Sequence, residues 1–238
     1  MQSKFFSCVA SQIQNRGEMY ARFHLGSFFR GQALTLANAL RRVLLAEIPS
    51  LVVDTVEIQG ITHEFATISG VEESVLDILL NLKNLVFTVL NDDSSYISNE
   101  FVDTKVYLNI RGPIKVTGEA LKLPPHLSCV DPSHHIATLS AKGELNICLG
   151  LKIVDLNSTL TKKKKFNEVQ QQNQSKIFYL EHDISPIKRV NYGVHELDTQ
   201  IGSEYISVEI WTNGSLSPQQ ALLFGLKQLT KLSFAFII

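Results

Sequence analysis

Several things are scarce in this 238-residue chain, and each scarcity excludes something. There are three cysteines, Cys8, Cys129 and Cys148, far apart and never in a CxxC pair. A disulfide framework or a structural zinc site needs closer, repeated spacing, so free thiols in a reducing compartment are expected. There is no basic excess: Lys and Arg number 22 against 23 Asp and Glu, a formal net charge of −1. Proteins that grip nucleic acid by its phosphates carry such an excess, because counterion release drives the binding. Any work on DNA or RNA is therefore expected to pass through partners. No apolar run reaches the ~18 residues of a membrane span. The opening MQSKFFSCVASQIQNRGEMY has one early lysine, a broken apolar stretch and Glu18, which suits neither a signal peptide nor a removable transit peptide.

Catalytic motifs are scarce too. The chain has no GxSxG elbow, no GxxxxGK[ST], no GxGxxG and no acidic triplet of the kind that holds paired magnesium ions. His126, Asp131 and His134, with His135 alongside, form the one candidate metal set, and with it the alternative of a small metal-dependent enzyme. Adjacent histidines on a strand point to opposite faces, so a polar turn is the preferred reading. His63, between Ile61 and Phe65, reads as a hydrogen-bonded core histidine. No catalytic residue, metal or cofactor is expected in this chain.

What is present is a core: 45% of residues are hydrophobic and 19% charged, a globular composition. Residues 19–29 alternate and read as a strand with Tyr20 and Phe23 on or near a core face. A helix follows over 31–48, stopped by Pro49. At 100° per residue, Ala33, Leu36, Ala37, Leu40, Val43, Leu44 and Ile48 make one apolar arc. Leu34, Ala39 and Leu45 lie off it, and Thr35, Asn38 and Arg42 lie opposite. Residues 51–68 read as two strands joined at Gly60. A second helix is expected over 70–83, with Glu72 and Glu73 in its first turn. Further strands are expected at 85–90, 101–110, 113–117, 136–141, 144–153, 177–181, 187–196 and 204–212. Residues 157–176, with Lys162–Lys165 and a Gln/Asn run, read as a solvated loop.

Ser217, Pro218 and Gln220 mark a capped helix start. Leu222, Leu226, Leu229, Leu232 and Phe236 form one stripe of this last helix. Leu223, Phe224, Phe234, Ile237 and Ile238 lie outside it, and Lys227 and Lys231 read as a solvated stripe. Both long helices carry more apolar surface than one sheet needs, and a symmetric dimer through them is the simplest physical solution. The expected dimer residues are Leu34 and Ala39 on the first helix and Leu223, Phe224, Leu226 and Phe234 on the last.

Three segments in order, LTLANALRRVLLAEIPS, VEIQGITHEFATISGVEESVLDILLNLKNL and EIWTNGSLSPQQAL, resemble the alpha-subunit family of bacterial-type RNA polymerase. With LPPHLSCVDPSHHIATL between them, the likeness is greatest to the plastid-encoded form. The resemblance covers about Tyr20 to Leu232. It implies an α+β fold: a discontinuous dimerisation domain of helices on an antiparallel sheet (1–49 and 176–238) and an inserted, mostly-β domain (50–175). It implies a non-catalytic subunit that dimerises, assembles beta and beta-prime type catalytic subunits, meets DNA only through the complex, touches no membrane, and works in a plastid for transcription of plastid genes. A related subunit that forms a heterodimer is the alternative within this fold. By the NALRR motif, Arg41, Arg42 and nearby Leu45 are expected at a large-subunit contact, and by SPIKRVNY so is Arg189. The family's usual glycine is Ala37 here, an RGxGY stretch is replaced by VDLNSTLTKKKKF, and the family's carboxy-terminal DNA-binding domain is expected to be absent.

Overall fold

The computed structural model describes residues 5–90, 104–154, 176–182, 185–198 and 202–235. The expected loop at 157–176 lies almost wholly outside these residues, as do Phe236, Ile237 and Ile238. The chain divides into two units, Met1–Pro49 with Ser185–Ile238, and Ser50–Ile184. The architecture is α+β with antiparallel sheets.

The first unit is a four-stranded sheet under two helices. Its strands are β1 (Phe5–Ile13), β2 (Met19–Phe29), β11 (Ile187–Asp198) and β12 (Ser203–Thr212), ordered β1-β2-β12-β11. Period-two alternation decides its faces. Ala21, Phe23 and Leu25 of β2, Ile206, Val208 and Ile210 of β12, and Val190 of β11 are buried under the helices. Tyr20 is three residues from Phe23 and so takes the opposite face, which corrects its expected place in the core. β1 was not anticipated as a strand. A bulge between Cys8 and Ala10 breaks the alternation by which it could have been read.

Helix α1 (Gln32–Ala46) packs over β11, β12 and β2. Ala33, Ala37, Leu40, Val43, Leu44 and Ile48 are buried, and Leu36 is half-buried, so the expected arc is the packed arc. The last helix, numbered α3 here (Pro218–Phe234), starts with the expected capping box: Ser217 Oγ accepts from Gln220 N, and Gln220 Oε1 accepts from Ser217 N. Its stripe departs from expectation. Leu222 is buried, Leu226 and Leu229 are half-buried, and Leu232 is 59% exposed. Gly225 occupies the close approach to α1; a Cβ there would lie 2.9 Å from Leu40 Cδ1.

The second unit is built on a sheet of β3 (Ser50–Ile58), β5 (Thr104–Arg111), β9 (Glu144–Val154) and β10 (Ile177–Tyr179), ordered β10-β3-β9-β5. Two small pairs join it: β4 (Phe87–Val89) with β7 (Leu127–Cys129), and β6 (Ile114–Thr117) with β8 (His135–Leu139). One continuous core runs through it, with Val56, Ile78, Leu82, Phe87, Leu108, Ile136 and Leu149 fully buried. The expected boundary at 175/176 moves to 184/185. The reason is that β10 pairs with β3, and the segment after it stays there: Leu180 N donates to Asp54 O at 3.0 Å and His182 Nε2 lies 3.0 Å from Asp54 Oδ1.

Two expectations in this unit fail. Only the first of the two strands in 51–68 exists, because Gly60 turns the chain at φ +78° and an irregular lead-in follows. Helix α2 (Val75–Lys83) starts at a Ser74 cap, not near Gly70, which sits at φ +80°. Glu72 and Glu73 therefore precede the helix, and Asp77 is the first-turn acid, closing a capping box with Ser74.

Candidate partner-binding surfaces

The outward side of α1 carries charge and unburied apolar groups together. Arg41 and Arg42 are exposed and Leu45 is 41% exposed. Asn38, one turn before Arg42, is held from below by Tyr192 of β11, whose Oη donates to Asn38 Oδ1 at 2.6 Å. Neither arginine is used by the core. Leu34, Leu223 and Phe234 are also exposed, whereas Ala39, Phe224 and Leu226 are half-buried. Lys227 and Lys231 are exposed, as a solvated stripe requires.

Arg189 lies elsewhere, on the sheet face that no helix of its unit covers. The pleat and register build rows there: Arg189 opposite Trp211 opposite Tyr20, and Asn191 opposite Glu209 opposite Arg22. The Arg189 guanidinium stands 5.0 Å from the Trp211 ring centroid and also meets the Asn191 side chain. Tyr20 and Trp211 are 4.8 Å apart between centroids. Glu209 Oε1 accepts from Arg22 Nε at 2.9 Å and from Tyr20 Oη at 3.1 Å. Partial burial would raise the Glu209 carboxyl, but hydrogen bonds from Arg22 and Tyr20 outweigh it and hold it below the usual carboxylate range. Burial and the Glu209 charge push the Tyr20 hydroxyl up. A third cluster places Tyr205 against His24 at 5.1 Å and His195 at 5.0 Å. Of these residues only Arg189 lies in a motif that marks it as a contact. The signal for the rest was the odd-numbered row of EYISVEIWT, where Tyr205, Ser207, Glu209 and Trp211 alternate with the buried residues.

In the second unit His134 and His135 take separate partners. His134 Nε2 lies 3.0 Å from Asn81 O, and His135 Nε2 lies 2.8 Å from Glu73 Oε1. Asp131 Oδ1 accepts from Ser133 N and Oγ. Among the described residues no three His, Cys, Asp or Glu side chains converge as a metal site. Burial would raise the Glu73 carboxyl. Donation from Thr138 N at 2.7 Å, from His135 and from Thr138 Oγ outweighs it, so the group is lowered. Cys129 is pushed up by burial, which makes it a poor nucleophile. His63 is exposed, not a core residue, because the strand expected around it does not form. Among the described residues no helix is long and apolar enough to cross a membrane.

Comparison with known proteins places both units in context. Residues 56–168 match the family model described as the RNA polymerase Rpb3/RpoA insert domain. A DNA-directed RNA polymerase subunit alpha of Chlorella vulgaris is 38% identical, over 98% of this chain and 95% of its own length. The subunit of the same name from Cyanidium caldarium is 38% identical, over 94% of this chain and 68% of its own. That of a Synechococcus strain is 37% identical, over 90% and 61%.

Proposed function

As a member of the alpha-subunit family of DNA-directed RNA polymerases, this chain is a non-catalytic component of a multisubunit transcribing complex, and we propose that it acts there as a homodimeric scaffold capturing beta and beta-prime type subunits. The observation that carries the dimer is the unspent apolar surface of the two helices. Leu34, Leu223, Leu232 and Phe234 are each more than 40% exposed in a single chain. Burying a leucine or phenylalanine side chain is worth ~1.5–3 kcal/mol, and a two-fold axis uses each patch twice. A second copy that covers these helices with its own removes the exposure without any new sequence.

Large-subunit capture is assigned to Arg41, Arg42 and Leu45, with Arg189 as a separate contact. Arg42 supports this because its guanidinium is exposed and its charge is not needed for packing. Relatives from algae and cyanobacteria support residence in a plastid. Sedimentation of the isolated chain at micromolar concentration tests the dimer. A two-chain species is expected, and a clean monomer would overturn it. Native mass spectrometry of the assembled complex tests the rest. Two copies of this chain with one of each large subunit is the expected composition; one copy beside a different alpha-like chain would favour the heterodimer.

A further inference from the structure

We propose that the outer edge of β1 is a strand-acceptor site, where an extended segment of another protein, with a carboxylate near its amino end, adds a fifth strand to the four of the first unit's sheet. The site stands apart from the scaffold reading and uses neither helix.

β1 closes one side of its sheet, and among the described residues no strand lies on its outer edge. Among the same residues, Phe5–Ile13 make no backbone-to-backbone hydrogen bond to anything but β2. Native sheets blunt such an edge with charge, proline or brevity, because its unpaired N–H and C=O groups template another strand. The other edges here are blunted. β11, on the far side of the same sheet, carries Lys188, Arg189 and Glu196. β5 in the second unit carries Lys105 and Arg111, and Lys122 N occupies Tyr107 O at 3.1 Å. β10 has only 3 residues. β1 has 9, FFSCVASQI, without a charge or a proline, and its one such device is the bulge between Cys8 and Ala10. Phe5, Phe6, Val9 and Ile13 are all exposed, Ile13 at 77%. The strand is nonetheless held in place: Phe6 stacks on the buried Phe23 at 5.7 Å, and Phe5 lies over Gly26. An incoming strand meets a template that has little order left to gain, which lowers the cost of binding.

The turn after β1 selects the occupant. Gln14 N donates to Glu18 O at 2.6 Å, and Arg16 between them holds φ +62°. That left-handed conformation is uncommon for a bulky side chain, and such strain gathers at binding sites. Gln14, Asn15, Arg16 and Glu18 line an open cleft of about 420 Å³ beside the strand end. Glu18 is paired with Lys188, whereas Arg16 has no carboxylate within ion-pair reach among the described residues. Every neighbouring pair in this sheet is antiparallel. An added strand therefore runs against β1 and brings its amino end to Arg16. An Asp or Glu there pairs with the guanidinium, and apolar residues at alternate positions behind it lie on the side of Phe6 and Ile13. A second copy of β1 does not supply this: it contains no acid, and the residue before it is Lys4.

The probe is an amino-acetylated peptide as long as β1, an aspartate followed by alternating valine and threonine, with fluorescein at its carboxyl end. Anisotropy titration of the full chain should show saturable binding, with amide exchange slowed across Phe5–Ile13 and unchanged in β11. Val9→Lys places a charge on the bare edge and should weaken binding about tenfold, with the melting temperature unchanged. Arg16→Gly relieves the left-handed strain, so it should melt no lower than the parent and yet bind more weakly. Arg16→Glu should prefer a peptide that begins with lysine. No binding by the parent, equal affinity for the aspartate and lysine peptides, or protection outside β1 overturns the site. So does growth of the peptide-free chain past a dimer that Val9→Lys abolishes, which gives the edge to a second copy. None of these outcomes bears on dimerisation through the helices or on large-subunit capture, whose own tests decide them.

Discussion

Tyr192 of β11 reaches across to α1 and donates its hydroxyl proton to Asn38 Oδ1 at 2.6 Å. This bond ties the edge strand of the sheet to the outward side of the helix. The rotation of α1 that buries its apolar arc leaves Asn38 and Arg42, one turn apart, outside that arc. The same rotation puts Leu40 underneath at 1% exposure.

That contrast separates an interface role from a packing role. Arg42→Ala should change the melting free energy by no more than ~1 kcal/mol, the usual worth of an exposed charge. At a desolvated partner surface its loss should cost ~2 kcal/mol or more, read as weaker pull-down of the beta-type subunit. Leu40→Ala removes a buried side chain and should cost ~2–5 kcal/mol of stability. Thermal melts and pull-downs of both variants check the pair; an unfolded Arg42→Ala would show that this face of α1 is structural.

The dimer prediction turns on Leu223. Leu223→Lys should leave the fold of the single chain intact, since the side chain is 44% exposed. In a symmetric dimer the loss counts twice, and with about half of each side chain left to bury it comes to roughly 1.5–3 kcal/mol, so the dissociation constant should rise by about one to two decades. Sedimentation equilibrium reads it. A dimer of unchanged affinity would remove Leu223 from the interface.

Gly225 sets the distance between α1 and α3. With a Cβ only 2.9 Å from Leu40 Cδ1 and 3.1 Å from Leu44 Cδ2, Gly225→Val should overpack the crossing. The usual cost is ~1–3 kcal/mol, seen as a lower melting temperature. A stability equal to the parent's would mean the two leucines can move aside freely.

Acid should weaken the second unit through Glu73. Its carboxyl is lowered in the folded state, where Thr138 N and His135 hold the charged form against burial. A group lowered on folding binds fewer protons folded than unfolded, so its stabilisation is full above the unfolded pKa of ~4.3. It is lost as pH falls through the folded value. Denaturation titrations between pH 7 and pH 3 should show this loss below about pH 4.3. Glu73→Gln should flatten the profile there; an identical slope in both proteins would rule the residue out.

The sequence by itself determined what depends on neighbours along the chain. The α1 arc from Ala33 to Ile48 follows from helical period alone, and the Ser217–Gln220 box from a four-residue pattern. The alternation of β2 and β12 marks their buried residues without any knowledge of partners. Family motifs around Asn38–Arg42 and Trp211–Gln220 identified the kind of protein. Tertiary structure alone decided the rest. β10 looked like the start of the outer domain until its hydrogen bonds to β3 placed it in the second unit. Tyr20 shares a strand with Phe23 but not a face. Arg189, expected by its own motif at another large-subunit contact than Arg42, lies on the other side of the sheet, because β11 presents it opposite Trp211 while α1 covers the reverse face. Cross-strand register and layer order join residues some 170 positions apart, and no local pattern encodes them.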